Sequence, residues 1–365
     1  MALRSNGKRF CDVCAAGGGH RRSYFYGVII NMKKVFEGNY EDIISAENLL
    51  EAWKEFRTGK KSRKDVELFE RNLMDNIFTL HRDLADKTYK HLAYEAFNIS
   101  DPKPRSIHKA SVRDRLLHHA LYRILYSFFD KKFISDSYSC RIGKGTHKAI
   151  ERFKKLGNQV SKNNTKTCWV LKCDIRKFFA SVDHDILIKI LKKHISDPDI
   201  ILLLIAVVGS FYSTKHGVGL PLGNLTSQLL VNIYMNEFDQ YVKHKLKEKY
   251  YIRYADDFIF LDTDKDKLLE LIPRIADFLD ENLKLQIHPD KLFIKTLASG
   301  LDFLGWVHFF SHRVLRTATK RKMFRNIREK NGKKETVESY IGLLSHGNTH
   351  KLQKRIHYDL AIAEM

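Results

Sequence analysis

The sequence is short of acids, of proline and of long apolar runs. Its 365 residues include 64 Lys or Arg but only 43 Asp or Glu, a formal net charge of +21 with neutral histidines. Such an imbalance argues for a polyanionic partner, either nucleic acid or an anionic membrane surface. The longest unbroken apolar run, Ile200–Val208, is far too short to cross a bilayer. The opening MALRSNGKRFCDVCAAGGGH holds no apolar core of signal-peptide type. A cytoplasmic nucleic-acid binder with no membrane partner is therefore expected. Five cysteines, an odd number without a secretory signal, argue for reduced thiols rather than a disulfide framework. Cys11 and Cys14 form a CxxC near His20, but no second pair follows to complete four zinc ligands.

What is present is a folded composition, 44% hydrophobic and 12% aromatic, long enough for two or three subdomains. Residues 1–31 are basic and Gly-rich with no period, and are expected to be a flexible leader or an upstream-start extension. From about 40 to 97 the pattern is helical, with a basic loop at Thr58–Lys64. Asp101-Pro102-Lys103-Pro104 ends the helices, Arg105–His108 reads as a short strand, and a helix carrying Leu116, Leu117, Leu121 and Leu125 follows. Arg141-Ile142-Gly143-Lys144-Gly145 offers free amides and fixed cations that suit a triphosphate, although it lacks P-loop spacing.

Downstream, Cys168–Asp174 reads as a strand ending on an acid, and the next helix starts near Ser181 or Asp183. Asp197-Pro198 caps a helix whose Ile200–Val208 run, apolar all round, marks a core element. A glycine-bounded loop, Gly219–Gln228, feeds a helix to about Lys247. A helix over Lys265–Glu281, kinked at Pro273, precedes three strand-like runs at 283–287, 292–297 and 301–310. From Arg313 to Lys334 ten Lys or Arg face one Glu, which favours contact along a nucleic-acid backbone; Val337–Ile362 is amphipathic helix.

Between the aromatic and β-branched runs Tyr250–Arg253 and Phe258–Leu261 lie Tyr254-Ala255-Asp256-Asp257, which read as a hairpin turn bearing adjacent carboxylates. Adjacent carboxylates repel and persist cheaply only when solvated or neutralised by a cation. With Asp174 on another strand, three acids can hold two divalent ions roughly 4 Å apart, an arrangement that serves in-line phosphoryl transfer. Mg²⁺ suits such oxygens, and Mn²⁺ can substitute.

The series Asp174-xxx-Phe178-Phe179, Leu220-Pro221-Leu222-Gly223, Tyr254-Ala255-Asp256-Asp257 and Leu304-Gly305-Trp306 resembles the reverse transcriptases of bacterial type. The resemblance implies an α+β right-hand polymerase: a helical region over 32–100, fingers and antiparallel palm over 101–311, and a basic helical thumb over 312–365. It implies catalysis by Asp174, Asp256 and Asp257, which with Ile175 form the metal site. Phe179 would be the steric gate against a 2′-hydroxyl. Leu222, Gly223, Gln228, Arg141, Arg113 and Lys291 would meet the nucleotide, Lys291 as a proton donor to pyrophosphate. Leu304, Gly305 and Trp306 would be the primer grip; Arg316, Lys320, Arg321, Lys322, Arg325 and Arg328 would follow the nucleic-acid backbone.

Most such enzymes read Leu-Pro-Gln-Gly followed by Ser-Pro, whereas here Leu222 replaces the Gln and Gln228 the Pro. That pattern resembles the reverse transcriptases of diversity-generating retroelements. It implies error-prone copying of a template RNA into cDNA, chiefly at adenines, from dNTPs, with an oligomeric accessory protein. The short stretch after Trp306 leaves no room for maturase and endonuclease domains, and the retron signatures Asn-Ala-x-x-His and Val-Thr-Gly are absent. The alternatives are a defence-associated enzyme and, in a different class, a catalytically dead RNA-binding scaffold.

Overall fold

Capping residues punctuate the N-terminal region. In the computed structural model, which describes residues 35–100 and 104–363, Asn39 and Asp42 form a reciprocal capping box on helix α1 (Tyr40–Ile44). Ser45 caps α2 (Ala46–Arg57), and α3 (Lys64–Arg71) and α4 (Leu73–Ala85) follow. The helical pattern expected to run to residue 97 stops at Ala85. Glu95–Ile99 is instead a strand, β1, that pairs antiparallel with β2 (Arg105–Lys109), Phe97 opposite Ile107. The Cys11, Cys14 and His20 cluster and the leader lie outside the described residues.

Helix α5 (Val112–Asp130), capped by Ser111, buries Leu116, Leu117, Leu121 and Leu125 within the main core, which also takes in Ile43, Trp53, Leu80 and Leu84. Helix α6 (Thr146–Val160) precedes strand β3 (Trp169–Asp174), the single turn α7 (Phe178–Ser181) and α8 (His184–Lys192), capped by Asp183. The next helix, α9 (Pro198–Gly209), departs from the expected core helix. Leu202 is 58% and Ile205 40% exposed, because α9 packs one side on the core and no other described residue covers the opposite side.

Helix α10 (Leu225–Gln240), extended by a π turn at Tyr241–Lys245, leads into the hairpin β4 (Tyr251–Tyr254) and β5 (Asp257–Asp262). Helix α11 (Lys265–Leu283) runs through Pro273, and β6 (Phe293–Thr296) follows. Residues 283–287 are not the expected strand: Lys284 takes left-handed φ of 50° to end α11, and only Ile287 bridges to Ile175. The palm sheet runs β4-β5-β3-β6, antiparallel throughout. One face sets Leu171, Cys173, Phe258 and Phe260 on the main core; the other sets Val170, Ile252 and Ile259 against Phe153 of α6 and Phe303.

The run expected as one strand over 301–310 is a hairpin, β7 (Leu301–Phe303) and β8 (Trp306–His308), continued by β9 (Arg313–Leu315). Its two-residue turn is Leu304-Gly305, with φ of 51° and 89°, both in the left-handed region that such tight hairpins demand. Helix α12 (Thr317–Glu329) buries Met323 and Ile327 and exposes Arg321, Arg325 and Arg328 at helical spacing. The single terminal helix expected over 337–362 is two, α13 (Lys334–Leu344) and α14 (His350–Ala363). Trp306, Leu315, Met323, Ile327 and Leu344 form one apolar cluster, so the β7–β9 strands and the last helices share a core.

Candidate active site

The palm sheet sets two of the three acids opposite each other by register, with the third in the adjoining turn. Asp174, last in β3, lies directly opposite Asp257, first in β5. Directly opposed side chains share a face, about 5 Å apart at Cβ. Asp256 occupies the two-residue turn with Ala255, whose φ of 57° is unusual for a residue with a Cβ. The Asp256 carbonyl accepts from the Ile175 amide at 3.1 Å, stitching the turn to the end of β3.

Two lysines neutralise the cluster. Lys291 Nζ lies 2.6 Å from Asp174 Oδ1, and Lys172 Nζ lies 2.9 Å from Asp257 Oδ2. Lys172 also donates to the Asp302 carbonyl at 2.7 Å and lies over the Phe303 ring. Burial pushes the Asp257 carboxyl up to about 6, with Lys172 opposing and the other two acids assisting. Burial and the Asp174 charge likewise raise Asp256, offset in part by Lys291 and Arg105. Asp257 Oδ1 is buried without a hydrogen-bond partner. A carboxylate oxygen left open beside two further acids fits a divalent cation. Among the described residues no three His, Cys, Asp or Glu side chains converge as a ready-made ligand cluster; the lysines hold two of the acids instead.

A loop closes the site on one side. Leu220 N donates to Phe179 O at 2.7 Å and Gly219 N to Val182 O at 2.8 Å, tying the loop to α7. Its other end meets the fingers hairpin: His108 N donates to Leu222 O at 3.1 Å and Asn224 Nδ2 to His108 O at 3.1 Å. Gly223 has φ of 106°, and a Cβ there would stand 2.9 Å from Ile107, so glycine serves both the turn and the close approach. Phe179, Leu222, Gly223 and β2 are thus brought together. Behind them lies a cavity of about 430 Å³ with Gly223 and Gln228 in its wall. Four cations, Lys60, Arg63, Lys109 and Arg115, line it with no acid, and Phe97 stands 45% exposed beside it.

Other expected residues are engaged elsewhere. Arg141 pairs with Asp130 at 2.7 Å and donates to the Ile134 and Ser137 carbonyls; Arg113 pairs with Asp83 at 2.6 Å and stacks on Tyr89. Both guanidiniums brace the fold because each has a carboxylate at hand. Leu304 and Gly305 form the turn described above, and Trp306 is buried. Arg316 pairs with Asp302, while Lys320 and Lys322 are half-buried on α12. The sequence reading missed Lys172, Arg105 and Arg253. Lys172 could have been found from strand alternation, which puts it on the face of Asp174.

Residues 99–308 match the family described as Reverse transcriptase (RNA-dependent DNA polymerase). The chain belongs to that family, and its helices and antiparallel sheet are those of a right-hand polymerase fold. Among its relatives, Protein YkfC of Escherichia coli K12 is 28% identical over 260 residues, 60% of this chain and 66% of that one. Group II intron-encoded protein LtrA of Lactococcus lactis subsp. cremoris is 23% identical over 309 residues, 66% of this chain and 49% of that one. A solved structure of apo telomerase from Candida tropicalis aligns with a TM-score of 0.46 at 12% identity, covering 67% of this chain and 60% of that one. The chain therefore spans just under two-thirds of YkfC and half of LtrA. No helix among the described residues is long and apolar enough to cross a membrane.

Proposed function

We propose that this protein is an RNA-directed DNA polymerase that copies a template RNA into cDNA at Asp174, Asp256 and Asp257. The observation that carries this is the register pairing of Asp174 with Asp257 beside the Asp256 turn, with Asp257 Oδ1 left open. Two divalent ions, Mg²⁺ or Mn²⁺, bound by these acids and Ile175 would supply the chemistry of activating a primer 3′-hydroxyl and neutralising pyrophosphate. The remaining roles belong to the chain's own groups. Phe179 stands against the sugar as a steric gate, and Leu222, Gly223 and Gln228 meet the base pair being formed. Lys291, already at the site, delivers a proton toward the leaving pyrophosphate once it swings from Asp174. Arg105, whose charge reaches Asp256, is better placed for the triphosphate than Arg141 or Arg113. Leu304, Gly305 and Trp306 grip the primer, and Arg316, Lys320, Arg321, Lys322, Arg325 and Arg328 follow the nucleic-acid backbone.

The specialisation rests on Leu222 and Gln228. An aliphatic Leu222 offers the incoming nucleotide no polar contact, and sites without such contacts discriminate poorly. We read the chain as an error-prone enzyme of the diversity-generating retroelement type, misincorporating chiefly at template adenines and working with an oligomeric accessory protein. Primer extension on an RNA template with dNTPs and Mg²⁺ tests the activity. The double variant Asp256→Ala/Asp257→Ala should be inactive; undiminished synthesis would sink the site assignment.

A further inference from the structure

We propose that Arg253 is the positioning residue of the catalytic turn, holding the Ala255 carbonyl and, through it, the placement of Asp256 and Asp257. The proposal rests on the polymerase reading of those acids and adds a residue outside their cluster. Arg253 lies on β4, three residues before Asp256, and is fully buried. A buried guanidinium is tolerated only when its donors are matched. Here Nε and Nη2 hold the Asp239 carboxylate at 2.8 and 2.6 Å, and Nη2 also reaches Ser137 Oγ at 3.0 Å. Nη1 donates to the Ala255 carbonyl at 3.0 Å and leans on Asn232 Oδ1 at 3.4 Å. Tyr251 completes the Asp239 side with an O–H donated at 2.7 Å.

Charge neutralisation needs only Asp239, so the bond to Ala255 is the informative one. It falls on the residue whose left-handed φ lets a two-residue turn carry both acids to the sheet end. Ala255 has neither the missing Cβ of a glycine nor the local hydrogen bond of an asparagine to favour that conformation. The restraint comes from the guanidinium instead, whose planar fork can serve a carboxylate and a carbonyl together where an ammonium would serve one.

The Arg253 main chain and Asn232 also tie segment 136–139 to this point. Arg253 N donates to Asp136 O at 2.9 Å, Tyr138 N to Arg253 O at 3.0 Å, and Asn232 Nδ2 to Ser139 O at 2.9 Å. Segment 136–139 is thereby laid along the outer edge of β4, and Arg253 joins it to α10 and the catalytic turn at a single point.

The test is Arg253→Lys, which keeps a cation for Asp239 and loses the fork. Single-turnover addition of one dNTP to an RNA-templated primer should slow by about 100-fold per burst-competent molecule, the scale of a misplacement near 1 Å. The dNTP KM should change little. A merely structural role would shrink the burst amplitude and leave that rate unmoved. Should the lysine variant fail to fold, Arg253→Met/Asp239→Leu removes both buried charges at similar volume, a replacement that buried pairs often tolerate. Mn²⁺ affinity, read by electron paramagnetic resonance without polymerisation, should weaken by about tenfold in a folded variant, as for other residues that orient metal ligands. A folded variant matching the wild type in both rate and Mn²⁺ affinity overturns the proposal. A wild type that extends no primer counts against the polymerase reading instead, and Mn²⁺ affinity then decides the role of Arg253.

Discussion

Replacing Asp257 with Asn isolates the electrostatic strain in the carboxylate cluster of Asp174, Asp256 and Asp257. The Asp257 side chain is only 20% exposed, and its carboxyl is pushed from 3.8 up to about 6, burial being the largest cause. A difference of two pKa units corresponds to about 3 kcal/mol. Between those two values the folded chain binds a proton that the unfolded chain has released, so stability falls as pH rises through that window. The contribution is fully present below pH 3.8 and lost above about 6. Other carboxyls, Asp65, Asp130 and Asp262 among them, are held low by basic partners and slope the opposite way. Subtracting the Asp257→Asn variant cancels those shared terms. Urea unfolding in EDTA should therefore give a wild-type-minus-variant difference that drops by about 3 kcal/mol between roughly pH 4 and pH 6.5, then flattens. A difference that is constant, or that rises with pH, refutes the strained carboxylate. Mg²⁺ at a hundred times its Kd should return about 3 kcal/mol to the wild type above that window, and less to the variant.

Gly347→Ala should loosen the Leu304–Trp306 hairpin, proposed above to grip the primer, because a Cβ there would collide with Cζ3 of the buried Trp306 ring. A loss of about 1–3 kcal/mol and shorter extension products are expected, from melting and processivity assays. Neutralising Arg321, Arg325 and Arg328 with Gln should weaken RNA affinity across sequences and flatten its log–log salt slope by about 3; an unchanged slope would direct the charge to another partner. Leu222→Gln should lower misincorporation opposite template adenine about three- to tenfold, the worth of one regained hydrogen bond. An unaltered error spectrum in sequenced cDNA removes the fidelity role of Leu222.

The hairpin at Tyr254–Asp257 was legible because alternating aromatic and β-branched residues flank a turn too short for anything else. Asp174 was legible as an acid closing a strand, and its register with Asp257 follows once the two strands pair. Helix starts at Asp183 and Asp197 could be read from local capping chemistry. The misreadings share one cause, that neighbours distant in sequence decide the outcome. Glu95–Ile99 has no strong period of its own and becomes a strand by pairing with Arg105–Lys109. Leu202 and Ile205 stay exposed because no segment among the described residues covers that side of α9. The pairing of Arg113 with Asp83 and of Arg141 with Asp130 is likewise visible only in the fold.

The two lysines at the acids are not equivalent, and their difference bears on how the site takes up cations. Lys172 is locked: strand alternation fixes its face, the Asp302 carbonyl holds its ammonium, and the Phe303 ring covers it. Lys291 sits on a short turn, with its side chain 41% exposed and its ammonium on Asp174. Removing Lys291 from Asp174 costs little, since an exposed ammonium regains water. Removing Lys172 would strand a buried charge, which is far more expensive. A cation held by these acids would therefore compete with Lys291 before Lys172, and Asp257 Oδ1, which has no hydrogen-bond partner, would be the oxygen free to meet it. Asp302, whose carbonyl anchors Lys172, pairs its carboxylate with Arg316 at the entrance to α12. One short chain of contacts thus runs from α12 through β7 to the carboxylate of Asp257, and a shift of β7 reaches the acid through Lys172.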